Sequence, residues 1–195
     1  MQKSIAKLIS IIFGPVVLIV LLSFLVAYKE TGDSIYALKW QIFSSLFVLA
    51  SGILVYLGEW IGIFSDPEKK RKEREKFYKL VIMLLSVYIV FVVFDRGFLS
   101  VPIIVGLGAL SGVFLFSFFN HYFKISIHCG VSYAFVGTVS ILYGIPAFFA
   151  TILIVPVVMW SRLVLKKHNL LEEIVGGMVG IFIAYLTYLV GIYLL

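Results

Sequence analysis

Cysteine occurs once, at Cys129, so no intramolecular disulfide can form and no zinc-type Cys/His cluster can be built. Charge is scarce as well. Asp, Glu, Lys and Arg make up 13% of the residues, against roughly 25% in soluble domains. That shortage excludes a water-facing globular surface. The net charge is +6, yet the basic residues crowd short loops and no nucleic-acid-binding fold accompanies them. No segment alternates in the manner of a barrel strand.

What fills the chain is apolar sequence. Hydrophobic residues make up 62% of it, and its mean hydropathy is +1.12. Runs of about 18 or more apolar residues read as membrane helices. The 195 residues are nearly all such runs. The expected fold is therefore all-α, a polytopic membrane helix bundle of six to seven transmembrane helices, in one domain over 1–195. Lipid cannot satisfy an open backbone, so every span is expected to be helical. The spans are Ile5–Tyr28, Trp40–Phe64, Phe77–Phe94, Phe98–Phe119, Ile127–Tyr143, Ala147–Leu165 and Leu170–Leu195. The first is too long for the apolar part of a signal peptide and reads as a structural helix. Pro156 predicts a kink in the sixth. Gly144 and Pro146 predict the turn before it. Trp40, Trp60 and Trp160 fall near span ends, where interfacial anchors sit. Gly106, Gly108 and Gly112, and the pair Gly176 and Gly180, predict close helix packing.

Parity sorts the loops. With seven spans, one face carries the N-terminus and the segments 66–79, 120–127 and 161–169. That face holds 13 of the 16 Lys and Arg residues. The other holds Lys29, Lys39 and Arg96. The positive-inside rule assigns the richer face to the cytoplasm. A phosphate site is itself basic, but setting aside Arg71, Arg74, Lys124 and Arg162 still leaves nine against three. The same face carries His121, His128 and His168.

Three stretches on that face can carry chemistry. The first is Ser161-Arg162-x5-His168-x3-Glu172. His168 and Glu172 are four apart, one helical turn. A carboxylate on one ring nitrogen leaves the other nucleophilic. Arg162 offers a planar fork suited to phosphate. The bland alternative is Arg and His snorkelling at a helix end, with Glu173 a further solvated charge. The second stretch is Lys124-Ile125-Ser126-Ile127-His128. Ser126 can donate to a phosphate oxygen, and His128 can act as general acid. Its bland reading is a helix cap, with His128 bonded to a neighbour. The third is the charged segment Asp66–Lys79, where Arg71 and Arg74 would share a helical face. A solvated charge run accounts for most of its lysines. His121 and Cys129 read as structural.

Taken in order, these stretches resemble the type 2 phosphatidic acid phosphatase superfamily, membrane phosphatases related to vanadium haloperoxidases. The likeness covers roughly 60–185. The family's third motif, S-R-x5-H-x3-D, matches from Ser161 to Glu172, with Glu for Asp. Its second, P-S-G-H, matches at Ser126 and His128 only, within the K-I-S-I-H form at Lys124–His128. Its first, K-x6-R-P, has no match; Arg71 and Arg74 are the stand-ins. The resemblance implies hydrolysis of a lipid phosphate or polyprenyl (di)phosphate through a phosphohistidine. His168 would be nucleophile, Glu172 its orienter and His128 the general acid. Arg162, Ser126, Lys124, Arg71 and Arg74 would hold the phosphate. No metal and no cofactor is implied; the partner is a membrane lipid substrate, with no nucleic acid. Two other readings stay open. One is a catalytically inactive lipid-binding relative. The other is a transporter or flippase, which would place ionisable residues deep in helices. Glu59 is the main candidate for that role.

Overall fold

Lipid offers a backbone no partner but itself, and every regular element among the described residues is an α-helix. The computed structural model describes residues 2–62, 71–96, 100–122 and 124–194. The side chains of Val55, Glu59, Arg71, Lys72, Arg96 and Leu194 lie outside that description. So do the Glu59 and Arg71 roles expected above. The helices are α1 (Gln2–Ile12), α2 (Pro15–Thr31), α3 (Ser34–Trp60), α4 (Arg71–Arg96), α5 (Val101–Tyr122), α6 (Ile127–Tyr143), α7 (Ile145–Thr151), α8 (Ile154–Val164) and α9 (Leu170–Leu194). Among the described residues six stretches are long and apolar enough to cross a membrane: α1 with α2, most of α3, most of α4, α5, α7 with α8, and most of α9. The 17-residue α6 is a further apolar helix, at the short limit for a span. The protein is an all-α polytopic bundle of the integral membrane class.

Two spans are broken, and proline accounts for both. The first, expected as one helix, is α1 and α2 separated at Phe13-Gly14. Pro15 has no N–H and its ring excludes the carbonyl four residues back. Gly14 turns extended and Pro15 starts the new helix. In the sixth span α7 ends at Thr151 and α8 starts at Ile154. Ile152 stands four residues before Pro156, where the lost hydrogen bond and the ring clash fall. The segment 66–79 is also not one loop. From Arg71 onward it is the start of α4, and 63–70 lie outside the described residues.

Helix ends are closed locally. Asp33 Oδ1 accepts from the N–H groups of Ile35 (2.8 Å) and Tyr36 (3.2 Å), capping α3. Gly144, at φ 81° and ψ −169°, takes a positive-φ conformation that lets α7 follow α6 with Pro146 in its first turn.

Between helices in lipid there is no hydrophobic driving force, so close backbone contact and interhelical hydrogen bonds matter more. α6 lies at the centre, against α2, α7, α8 and above all α9. Leu18, Phe135, Val136, Val139 and Val155 form a core on one side of it. Tyr78, Phe116, Ile125 and Val179 form a second between α4, α5 and α9. The α6–α9 crossing is backbone against backbone. A Cβ on Gly180 would overlap the Gly130 carbonyl, and one on Gly176 would overlap the Ser126 carbonyl. This packing brings the N-terminal ends of α6 and α9 together.

Candidate active site

α8 ends in a reversal that sets up the next five residues. The N–H of Lys167 donates to the Arg162 carbonyl (3.1 Å) and that of Lys166 to Leu163 (3.0 Å). This pair of bonds is a Schellman closure, and its left-handed residue is ordinarily glycine. Here it is Lys166, at φ 53°. A side chain in that conformation costs about 1–2 kcal/mol. Local strain of this kind gathers at functional sites.

Asn169 then starts α9 with a reciprocal cap. Its Oδ1 accepts from the Glu172 N–H (2.9 Å), and its own N–H donates to Glu172 Oε2 (3.2 Å). The same Oε2 lies 2.8 Å from His168 Nδ1. One carboxylate therefore caps the helix and orients the imidazole. With the proton on Nδ1, Nε2 keeps its lone pair. The His168 side chain is 1% exposed. Burial pushes its pKa down from 6.5 to about 3, and the charges of Arg74, Lys124, Arg162 and His128 act in the same direction. At neutral pH the ring is uncharged.

The stretch 124–126 is tied to this centre from three sides. Lys124 Nζ donates to the Lys167 carbonyl (3.0 Å). Arg74 Nη1 donates to the Ile125 carbonyl (3.0 Å). The Ser126 N–H donates to the Glu172 carbonyl (3.1 Å). Ser126 also starts α6, its Oγ accepting a long bond from the Cys129 N–H (3.4 Å). Capping and site membership thus coexist at Ser126. Arg74 is 5% exposed, so the solvated-charge reading fails at that residue while fitting the exposed ion pair of Lys76 with Glu73 (3.3 Å).

Arg162 is 3% exposed. Its Nη1 donates to Ser10 Oγ (2.8 Å), which brings α1 into the assembly. An open cleft of about 370 Å³ lies beside His168, lined by Lys124, Leu163, Lys166, Lys167, Asn169 and Glu172. His168, Glu172, His128, Ser126, Lys124, Arg162 and Arg74 all meet at this end of the bundle. The Arg71 side chain lies outside the described residues. Among the described residues no three His, Cys, Asp or Glu side chains group as metal ligands would.

Two residues here escaped the sequence reading. Ser10 sits in an apolar run with no motif around it. Glu173, a solvated charge in the bland alternative, is 0% exposed. A signal for it existed: Glu173, Gly176 and Gly180 follow a three-then-four spacing, which puts them on one helical face. That face is the one pressed against α6.

Comparison with protein-family models, curated proteins and solved structures finds no match.

Proposed function

We propose that the protein is a membrane phosphatase acting on a lipid phosphate or polyprenyl (di)phosphate, akin to the type 2 phosphatidic acid phosphatases. The observation that carries this reading is the buried, uncharged His168 ring, aligned by Glu172 at 2.8 Å and facing the charges of Arg74, Lys124 and Arg162. A neutral imidazole is nucleophilic, and the surrounding cations favour a phosphoryl group beside it.

In the proposed cycle, His168 Nε2 attacks phosphorus, forming a P–N bond as the P–O bond to the lipid alcohol breaks. His128 gives its proton to the departing oxygen. Arg162, Ser126, Lys124 and Arg74 stabilise the equatorial oxygens. Water then attacks the phosphohistidine, losing a proton to His128, and the P–N bond breaks to release phosphate. Glu172 keeps the Nδ1 proton in place throughout. Leu163 in the cleft wall, and exposed Leu170 and Leu171 beside it, suit an acyl or prenyl tail that stays in the bilayer. The excess of Lys and Arg on this face supports a site at the cytoplasmic side of a cell membrane.

The test is phosphate release from phosphatidate, phosphatidylglycerophosphate and prenyl diphosphates in the presence of chelator. Wild type should release phosphate and His168→Ala should not. Equal release by both, or none by folded wild type, refutes the reading; none by wild type points to a lipid-binding relative without catalysis.

A further inference from the structure

Glu173 takes no part in the cycle above, yet it is fully buried where α6 and α9 cross. The Cys129 thiol donates to its Oε2. Among the described residues its Oε1 accepts no hydrogen bond. Ser126, Arg162 and Glu172 are its other polar neighbours. Burying a carboxylate carries a large desolvation cost, and an unsatisfied oxygen adds to it. An apolar side chain of similar volume would suit a lipid-embedded helix better. Stability of the fold therefore gives no reason for a glutamate here.

Arg162 gives one. Its guanidinium is nearly buried, and Ser10 accepts from Nη1 at 2.8 Å. The Glu173 carboxyl group lies near it from α9. The same carboxylate touches Cys129, three residues beyond Ser126, in the first turn of α6. One buried carboxyl group thus lies near the arginine and touches the turn of the serine assigned to phosphate. We propose that Glu173 is a positioning residue, which holds Arg162 and the Ser126 turn in the orientation that receives the phosphoryl group. This inference rests on the phosphatase reading.

The experiment uses full-length protein purified in detergent. Phosphate release from phosphatidate gives KM and kcat, inorganic phosphate serves as competing inhibitor, and thermal unfolding gives the midpoint. For Glu173→Gln and Glu173→Leu, KM and the phosphate inhibition constant should each rise about tenfold, with kcat changed less than about threefold. The midpoint of Glu173→Leu should equal or exceed that of wild type. In an Arg162→Lys background, Glu173→Gln should add less than about twofold to KM, because in this proposal Glu173 acts through Arg162. A lowered midpoint with unchanged KM would overturn the proposal, as would a full tenfold effect in the Arg162→Lys background. Failure of both Glu173 variants to fold would mark the residue as structural and overturn it too. Inactive wild type would instead defeat the phosphatase reading itself.

Discussion

Replacing Gly176 with alanine tests the link between helix packing and the site. A Cβ at Gly176 would stand 3.2 Å from both the backbone nitrogen and the carbonyl carbon of Ser126, and closer still to its oxygen. These are backbone atoms at the start of α6, so no side chain can swing aside. A carbon and a carbonyl oxygen rest at about 3.3–3.6 Å, so the helix ends must part by roughly 1 Å. The 3.1 Å bond from the Ser126 N–H to the Glu172 carbonyl would then exceed about 4 Å, beyond hydrogen-bonding range. The lost bond costs about 1 kcal/mol, and overpacking adds about 1–3 kcal/mol. Displacing Ser126 and His128 from His168 by 1 Å should lower kcat/KM about 100-fold. The assay is phosphate release from phosphatidate beside a thermal midpoint. Gly191→Ala is the control, since a Cβ there meets only Ile104 at 3.9 Å. It should match wild type in both. Wild-type kinetics and midpoint in Gly176→Ala would refute the idea that this crossing holds Ser126 in register.

Three further outcomes are expected. Glu172→Gln keeps a side chain able to complete the cap at Asn169 but removes the charge that fixes the imidazole, so kcat should fall about 1000-fold with the circular-dichroism melting curve little changed; comparable loss of both would refute the division of roles. His168, with its pKa near 3, should stay neutral well into acid. The folded state then binds fewer protons at His168 than the unfolded chain between pH 6.5 and about 3. Stability from this residue is complete above 6.5 and drains away as pH falls through that window; His168→Gln should flatten that part of the melting-temperature profile. Lys166→Gly should raise stability by up to about 1 kcal/mol by relieving the left-handed conformation, and Lys166→Val should lower it by a similar amount. Denaturation in a mild detergent would measure both, and equal midpoints would refute strain at Lys166.

What could be read from the sequence divides by distance along the chain. The spans were legible because apolar length is a local property, and α6 has the bounds expected for it, Ile127–Tyr143. His168 and Glu172 are only four apart, so spacing alone proposed the pair, but His168 stands before α9 and meets Glu172 across the helix cap, not along a helical face. The Pro156 break was legible for the same reason; Pro15 obeys the same rule, yet a long apolar run masked it. The contacts that escaped depend on packing between distant segments. Ser10 meets Arg162 across 152 positions, and Arg74 meets Ile125 across 51. Neither contact has a spacing that sequence could display. Glu173 is the instructive middle case. Its neighbour Glu172 faces the cleft, and one step around the helix turns the next side chain about 100° away, toward α6. Two adjacent identical residues thus have opposite environments, and only the glycine stripe beside Glu173 distinguishes them. A small residue three or seven positions from a charge is therefore informative in a membrane helix. It marks the face where another backbone arrives, and a carboxylate on that face meets protein instead of water.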